Sequence, residues 1–132
     1  MAATFKGLLD VNVLVAHVVV EHEHHRRVVQ WHRKLPAKSR LYSCPIVELG
    51  LVRNIMRIAG FSVSEARTLL FYERENLGLE LVPDTLGADV LPEWVQGYRQ
   101  TTDAYLQQLA AAHGLRFITL DKRLPEAIRI AE

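Results

Sequence analysis

The chain has 132 residues, 49% of them hydrophobic and 23% charged, which suits one folded domain over residues 1–132 and excludes a disordered tail. With 16 basic and 15 acidic side chains the formal net charge is +1, so no global field draws the protein to nucleic acid and any such binding must come from a local patch. A lone cysteine, Cys44, excludes an internal disulfide framework, no stretch reads as a leader, and no run approaches the ~20 apolar residues of a membrane span; a cytoplasmic protein is expected.

In chain order, residues 5–10 form a short apolar run ending in Asp10, expected as a buried strand. Residues 11–20 are apolar nearly all round, and their length predicts a helix. A second helix is expected over 23–35, stopped by Pro36. Residues 40–44 read as the second strand, and Pro45 suits the first turn of a helix over 45–59 that stops at Gly60. Ser62-Val63-Ser64-Glu65 has the pattern of a capping box and opens a helix ending near Gly78. Residues 79–82 predict a third strand, closed by Pro83. A helix over 87–98 is expected to be broken by Pro92. Residues 102–113 predict a helix stopped by Gly114, and 116–120 a fourth strand. This alternation predicts an α/β fold with a central, mostly parallel sheet flanked by helices. In such sheets ligands bind beyond the carboxyl ends of the strands, where strand order reverses.

Acids stand at those places. Asp10 ends the first strand and Asp121 follows the last, so a parallel sheet puts both on one edge. Either could instead simply cap the next helix. Glu48 falls between Val52 and Ile55 on a helical wheel, inside an apolar stripe. A buried lone carboxylate costs several kcal/mol, so Glu48 needs a partner: a cation shared with Asp10 and Asp121, or a basic side chain. Asp103 lies in the first turn of its helix on the side of Leu106 and Ala110, which directs it along the sheet edge. Two like charges ~4 Å apart cost about 4 kcal/mol at an effective dielectric of 20. A convergent carboxylate cluster therefore implies a divalent cation, and oxygen ligands select Mg²⁺ or Mn²⁺. Metal-assisted phosphodiester hydrolysis is the reaction class that follows. Neutralising any one acid is expected to stabilise the metal-free protein.

The segments carrying these acids resemble the PIN-domain family, especially its VapC-type toxins. Leu8-Leu9-Asp10-Val11-Asn12-Val13-Leu14 is similar to the family's first motif, and residues 44–53, Cys44-Pro45-Ile46-Val47-Glu48 onward, to its second. Thr102-Asp103-Ala104-Tyr105-Leu106 resembles the third, and Phe117-Ile118-Thr119-Leu120-Asp121-Lys122-Arg123 the fourth. The second motif departs in one respect: Cys44-Pro45 follow Ser43 where many members place Ser or Thr just before the helix. The resemblance implies a PIN-like three-layer fold with a four- to five-stranded sheet, any fifth strand coming from residues 127–131. It implies an RNA-cutting enzyme with Asp10, Glu48, Asp103 and Asp121 as catalytic acids, and Mg²⁺ or Mn²⁺ on Asp10, Asp103 and Asp121. Asn12 and Thr119 match polar positions that would orient water, phosphate or carboxylate. The implied partners are RNA, a cognate antitoxin and a second copy in a homodimer.

Other features are weighed against this reading. Five of the six histidines lie between His17 and His32, but no second cluster accompanies them, so solvation is preferred to a zinc site. Arg53 and Arg57 form a basic strip on the helix of Glu48, with Arg53 taken as a substrate contact; Lys122 and Arg123 follow Asp121. Asp84 reads as a turn residue beside Pro83. A non-catalytic PIN-like module that binds RNA or protein would be expected to have lost an acid. A phosphotransfer enzyme with Asp10 as nucleophile would need a second Asp where Asn12 stands.

Overall fold

The protein is described from a computed structural model, which covers residues 4–131. In chain order its elements are β1 (Lys6–Leu9), α1 (Val11–Val18), α2 (His25–Arg33), β2 (Arg40–Ser43), α3 (Pro45–Ala59), α4 (Val63–Leu77), β3 (Glu80–Leu81), α5 (Thr101–Ala112), β4 (Arg116–Thr119) and β5 (Ile128–Arg129). Five strands form one sheet in the order β3-β2-β1-β4-β5, and every pairing is parallel. The expected α/β architecture is what the chain adopts, and the fifth strand falls within 127–131.

Successive strand residues point to opposite faces, yet Leu8 and Leu9 are both fully buried, so helices cover both sides of the sheet. Val13 and Leu14 of α1, Leu51 and Ile55 of α3, and Leu106 and Leu109 of α5 complete the core. The strand order reverses between β1 and β4, which pair Leu8 with Phe117 and Leu9 with Ile118. The Asp10 N–H donates to the Ile118 carbonyl at 2.9 Å, one rung further. That rung brings Asp10 level with Thr119 at the carboxyl edge of the sheet.

The helix boundaries have local causes. Asp10 caps α1 by accepting from the Val11 N–H at 2.7 Å. The β-branched run Val18-Val19-Val20 ends α1 at Val18, two residues early, with Val19 already extended. Gly60 ends α3 at φ 67°, a left-handed turn that suits glycine. The capping box of α4 is present, with Ser62 and Glu65 bonded reciprocally at 3.1 and 2.9 Å. The helix expected over 87–98 is absent. Only two short 3-10 turns form there, Ala88–Val90 and Tyr98–Gln100. Pro92 has no N–H to donate and holds Leu91 extended at ψ 129°, which stops any helix from crossing.

α1 and α3 approach closely at Gly50. A Cβ there would lie 2.7 Å from a methyl of Val11. Gly50 is therefore buried although the wheel puts it on the polar face of α3. That close approach sets α3 beside the residue that follows Asp10.

Candidate active site

Asp10 is 4% exposed. Its Oδ2 accepts from Thr119 Oγ1 at 2.8 Å and its Oδ1 from the Val11 N–H. Thr119 Oγ1 in turn accepts from Asn12 Nδ2 at 3.2 Å and from the Asp121 N–H at 3.0 Å. One donor and two acceptor positions are all a hydroxyl has, so Thr119 is fully used. Asn12 Oδ1 also accepts from the Leu120 N–H at 3.2 Å. The side chains of Asn12 and Thr119 thus stitch the ends of β1 and β4 together and fix the orientation of the Asp10 carboxyl.

Two more acids approach. Burial, then the charge of Asp103, push the Asp10 carboxyl up to about 7, with Asp121 adding to the rise; the bonds from Thr119 and Val11 pull the other way. Asp103, half-buried in the first turn of α5, is also raised, by burial and by Asp121. Asp121 goes the opposite way, because it accepts from the Arg123 guanidinium. Arg123 Nε lies 3.2 Å from Asp121 Oδ1, and the Arg123 N–H donates to the same oxygen at 2.9 Å. Like charge thus raises the Asp10 carboxyl, through Asp103 and Asp121, and raises that of Asp103, through Asp121, while Asp121 itself has a counter-ion in Arg123.

A cleft of about 360 Å³ opens over Asp10 and Asp103, lined also by Asn12, His22, Asn54 and Arg57, whereas Asp121 lines an adjoining compartment. Asn54 was not foreseen as a site residue, and Arg57 stands in the basic strip of α3, from which the sequence reading singles out only Arg53 as a substrate contact. Asn54 Nδ2 donates to the Gly50 carbonyl and Arg57 Nη2 to Asn54 Oδ1, both at 2.8 Å. Arg53, the arginine expected to meet substrate, is exposed and does not line this cleft. It stands on nearly the same side of α3 as Arg57, but one turn nearer the helix start.

Glu48 is also absent from the cleft lining. It is buried and needs a partner, as its place in the apolar stripe implied, but the partner is Arg74 of α4. Arg74 Nε donates to Glu48 Oε2 at 2.8 Å, Arg74 Nη2 bonds Oε1, and Ser43 Oγ donates to Oε2 at 2.9 Å. A basic side chain was one of the partners considered from sequence, and through it Glu48 ties α3 to α4.

Among the described residues, no three His, Cys, Asp or Glu side chains form a ready-made metal-holding group. The donor chemistry nevertheless fits a hard divalent cation. Asp10 and Asp103 offer only oxygen and share one cleft; burial raises both, and the charge of Asp103 further raises Asp10, a cost of ionisation that a bound cation would remove. Asp121 could join them once Arg123 lets go of it.

The PIN domain family model matches residues 7–129. The chain is 40% identical over 118 residues to a Mycobacterium tuberculosis protein named Ribonuclease VapC29, covering 89% of this chain and 86% of that one. It is 37% identical over 124 residues to Ribonuclease VapC38 of the same organism, covering 87% and 84%. Among solved structures, it superposes on VapBC2 from Rickettsia felis, solved bound to a promoter DNA fragment, with a TM-score of 0.62 at 13% identity over 95% of this chain and 97% of that one. It superposes on VapC20 of M. tuberculosis, a sarcin-ricin loop cleaving toxin, with a TM-score of 0.67 at 12% identity over 89% and 91%. At those identities the structures speak to the fold alone.

Proposed function

The chain belongs to the PIN-domain family, and from that premise we propose that it is a metal-dependent endoribonuclease, the toxin of a type II toxin–antitoxin pair. The observation that carries the reading is Asp10: a carboxyl 4% exposed, oriented by Thr119, facing Asp103 at the reversal point of a parallel sheet. A structural acid at that place would be paired with a base, as Glu48 is. Asp10 instead faces another acid.

In this reading Asp10 and Asp103 hold Mg²⁺ or Mn²⁺, with Asp121 as a third oxygen ligand. When bound, such an ion supplies Lewis-acid polarisation of the phosphodiester and neutralises charge at the leaving oxygen. The chain's own groups do the rest. Thr119 and the Val11 N–H fix both Asp10 oxygens, so neither turns away from the cleft. Asn12 keeps the β4 end in register with β1. Arg57, on the cleft wall, is the cation for a substrate phosphate, and Asn54 anchors it through one hydrogen bond. Burial and Asp103 hold the Asp10 carboxyl up at about 7, so near pH 7 its proton would compete with a cation held there.

The relatives' names support RNA as substrate and a VapB-type antitoxin as partner. A homodimer and a cytoplasmic location belong to the same proposal; among the described residues no helix is long and apolar enough to cross a membrane. The test is cleavage of a panel of structured RNAs in Mg²⁺, Mn²⁺ and chelator. The parent should cut at least one RNA in metal and none in chelator, and Asp10→Asn or Asp103→Asn should fall to the chelator background. Either variant cutting at the parental rate would remove that residue from the catalytic set.

A further inference from the structure

The cleft over Asp10 and Asp103 does not end at the acids. A second compartment of about 440 Å³ adjoins it, and Asn12 and His22 line both. Its walls come from the α1–α2 connection, α2, the end of β4 and β5. The side chains there are of the opposite character: Arg27, Lys122, Arg123, Arg129 and His24. Its two acids are already engaged, Glu23 with His24 at 3.5 Å and Asp121 with Arg123. Arg27 is fixed in place by bonding the Ile130 carbonyl through Nε at 2.7 Å and through Nη2. Lys122 and Arg129 are exposed, and among the described residues neither has a carboxylate partner.

We propose that this basic compartment is the subsite for a backbone phosphate of single-stranded RNA next to the one held over Asp10 and Asp103, with Lys122 and Arg129 as the residues that touch it. The proposal rests on the nuclease reading and deepens it. A polyanion drawn along one continuous cleft needs a cation at the acidic end and finds fixed cations at the other. Arg27 supplies a permanent positive wall, while Lys122 and Arg129 are long, exposed and free to close on phosphate oxygens. The +1 net charge of the whole chain makes this local separation the main electrostatic guide for RNA.

The test is fluorescence anisotropy with a labelled, unstructured RNA hexanucleotide in chelator, over ~50 to ~200 mM salt. Three proteins are compared: the parent, the Lys122→Gln/Arg129→Gln double variant, and an Arg33→Gln/Arg67→Gln control that removes two exposed cations outside the compartment. The first double variant should bind at least tenfold more weakly. Its plot of log affinity against log salt should be shallower by about 0.7 for each phosphate that is no longer neutralised. In Mn²⁺ it should raise KM with kcat unchanged. The control should stay within twofold of the parent. Equal losses in both double variants, or none in the first, would overturn the subsite. A parent that cuts RNA in Mn²⁺ but does not bind it in chelator overturns the subsite alone. A parent that neither binds nor cuts any RNA overturns the nuclease reading beneath it.

Discussion

The behaviour of Asp10 depends on what surrounds one carboxyl. Its pKa of about 7 in the fold exceeds the unfolded value near 3.9, so the native state prefers it protonated. Stability from this group is complete below about pH 4, is lost as pH rises to about 7, and changes little beyond. The full penalty is of the order of 4 kcal/mol. In chelator at pH 8, Asp10→Asn should melt above the parent, and the gain should vanish at pH 4; thermal melts at the two pH values check this. An unchanged melting temperature at pH 8 would mean that burial and Asp103 do not strain Asp10. Asp121 has the opposite sign, its carboxyl being lowered by Arg123, so its contribution is present above about pH 4 and lost in acid. Asp121→Asn should therefore give no rise in chelator, contrary to what repulsion among equal acids implies from sequence.

At the scale of elements, α4 is the clasp. Its adjacent residues Glu73 and Arg74 reach in different directions: Glu73, 3% exposed, bonds His17 Nδ1 of α1 at 2.8 Å, and Arg74 holds Glu48 of α3. Arg74→Ala leaves a buried carboxylate with only Ser43 and should cost about 1–3 kcal/mol by denaturant titration. It should leave residual RNA cleavage if Glu48 acts only through the packing of α3. Gly50→Ala sets a methyl against Val11 and should cost a similar ~1–3 kcal/mol. These ties also mark what sequence could reveal. An apolar run ending in Asp10 and another followed by Asp121 announce strands with acids at their ends, because burial and period are local properties. Glu48 announces its need for a partner for the same reason. Its choice of Arg74, 26 residues away, depends on how α4 folds back on α3, and no local pattern encodes that. Likewise the polar face of α3 is visible in sequence, but which turn of it reaches the cleft, Arg57 rather than Arg53, depends on tertiary packing. The missing helix over 87–98 was half legible: Pro92 announces the break, but not that neither side would extend beyond one turn.

The whole molecule is a parallel sheet whose reversal point separates charge. Asp10 and Asp103 collect beyond β1 and on α5, with Arg57 on their cleft wall, while Arg27, Lys122 and Arg129 outnumber the paired Asp121 beyond β4 and around β5. Overall neutrality conceals this, and for that reason composition alone argued against nucleic acid binding except by a patch. The central claim, that Asp10 and Asp103 crowd together to receive a hard cation, is tested most directly by calorimetric titration of Mn²⁺ into the metal-free protein. Titrations at pH 7 in two buffers of different ionisation enthalpy measure the protons released. Binding should expel about half a proton per ion at pH 7 and almost none at pH 9, because a group with a pKa near 7 is half protonated there. Asp10→Asn should abolish both the binding and the release. Mn²⁺ binding that is undiminished in Asp10→Asn, or no binding by the parent, would contradict the account.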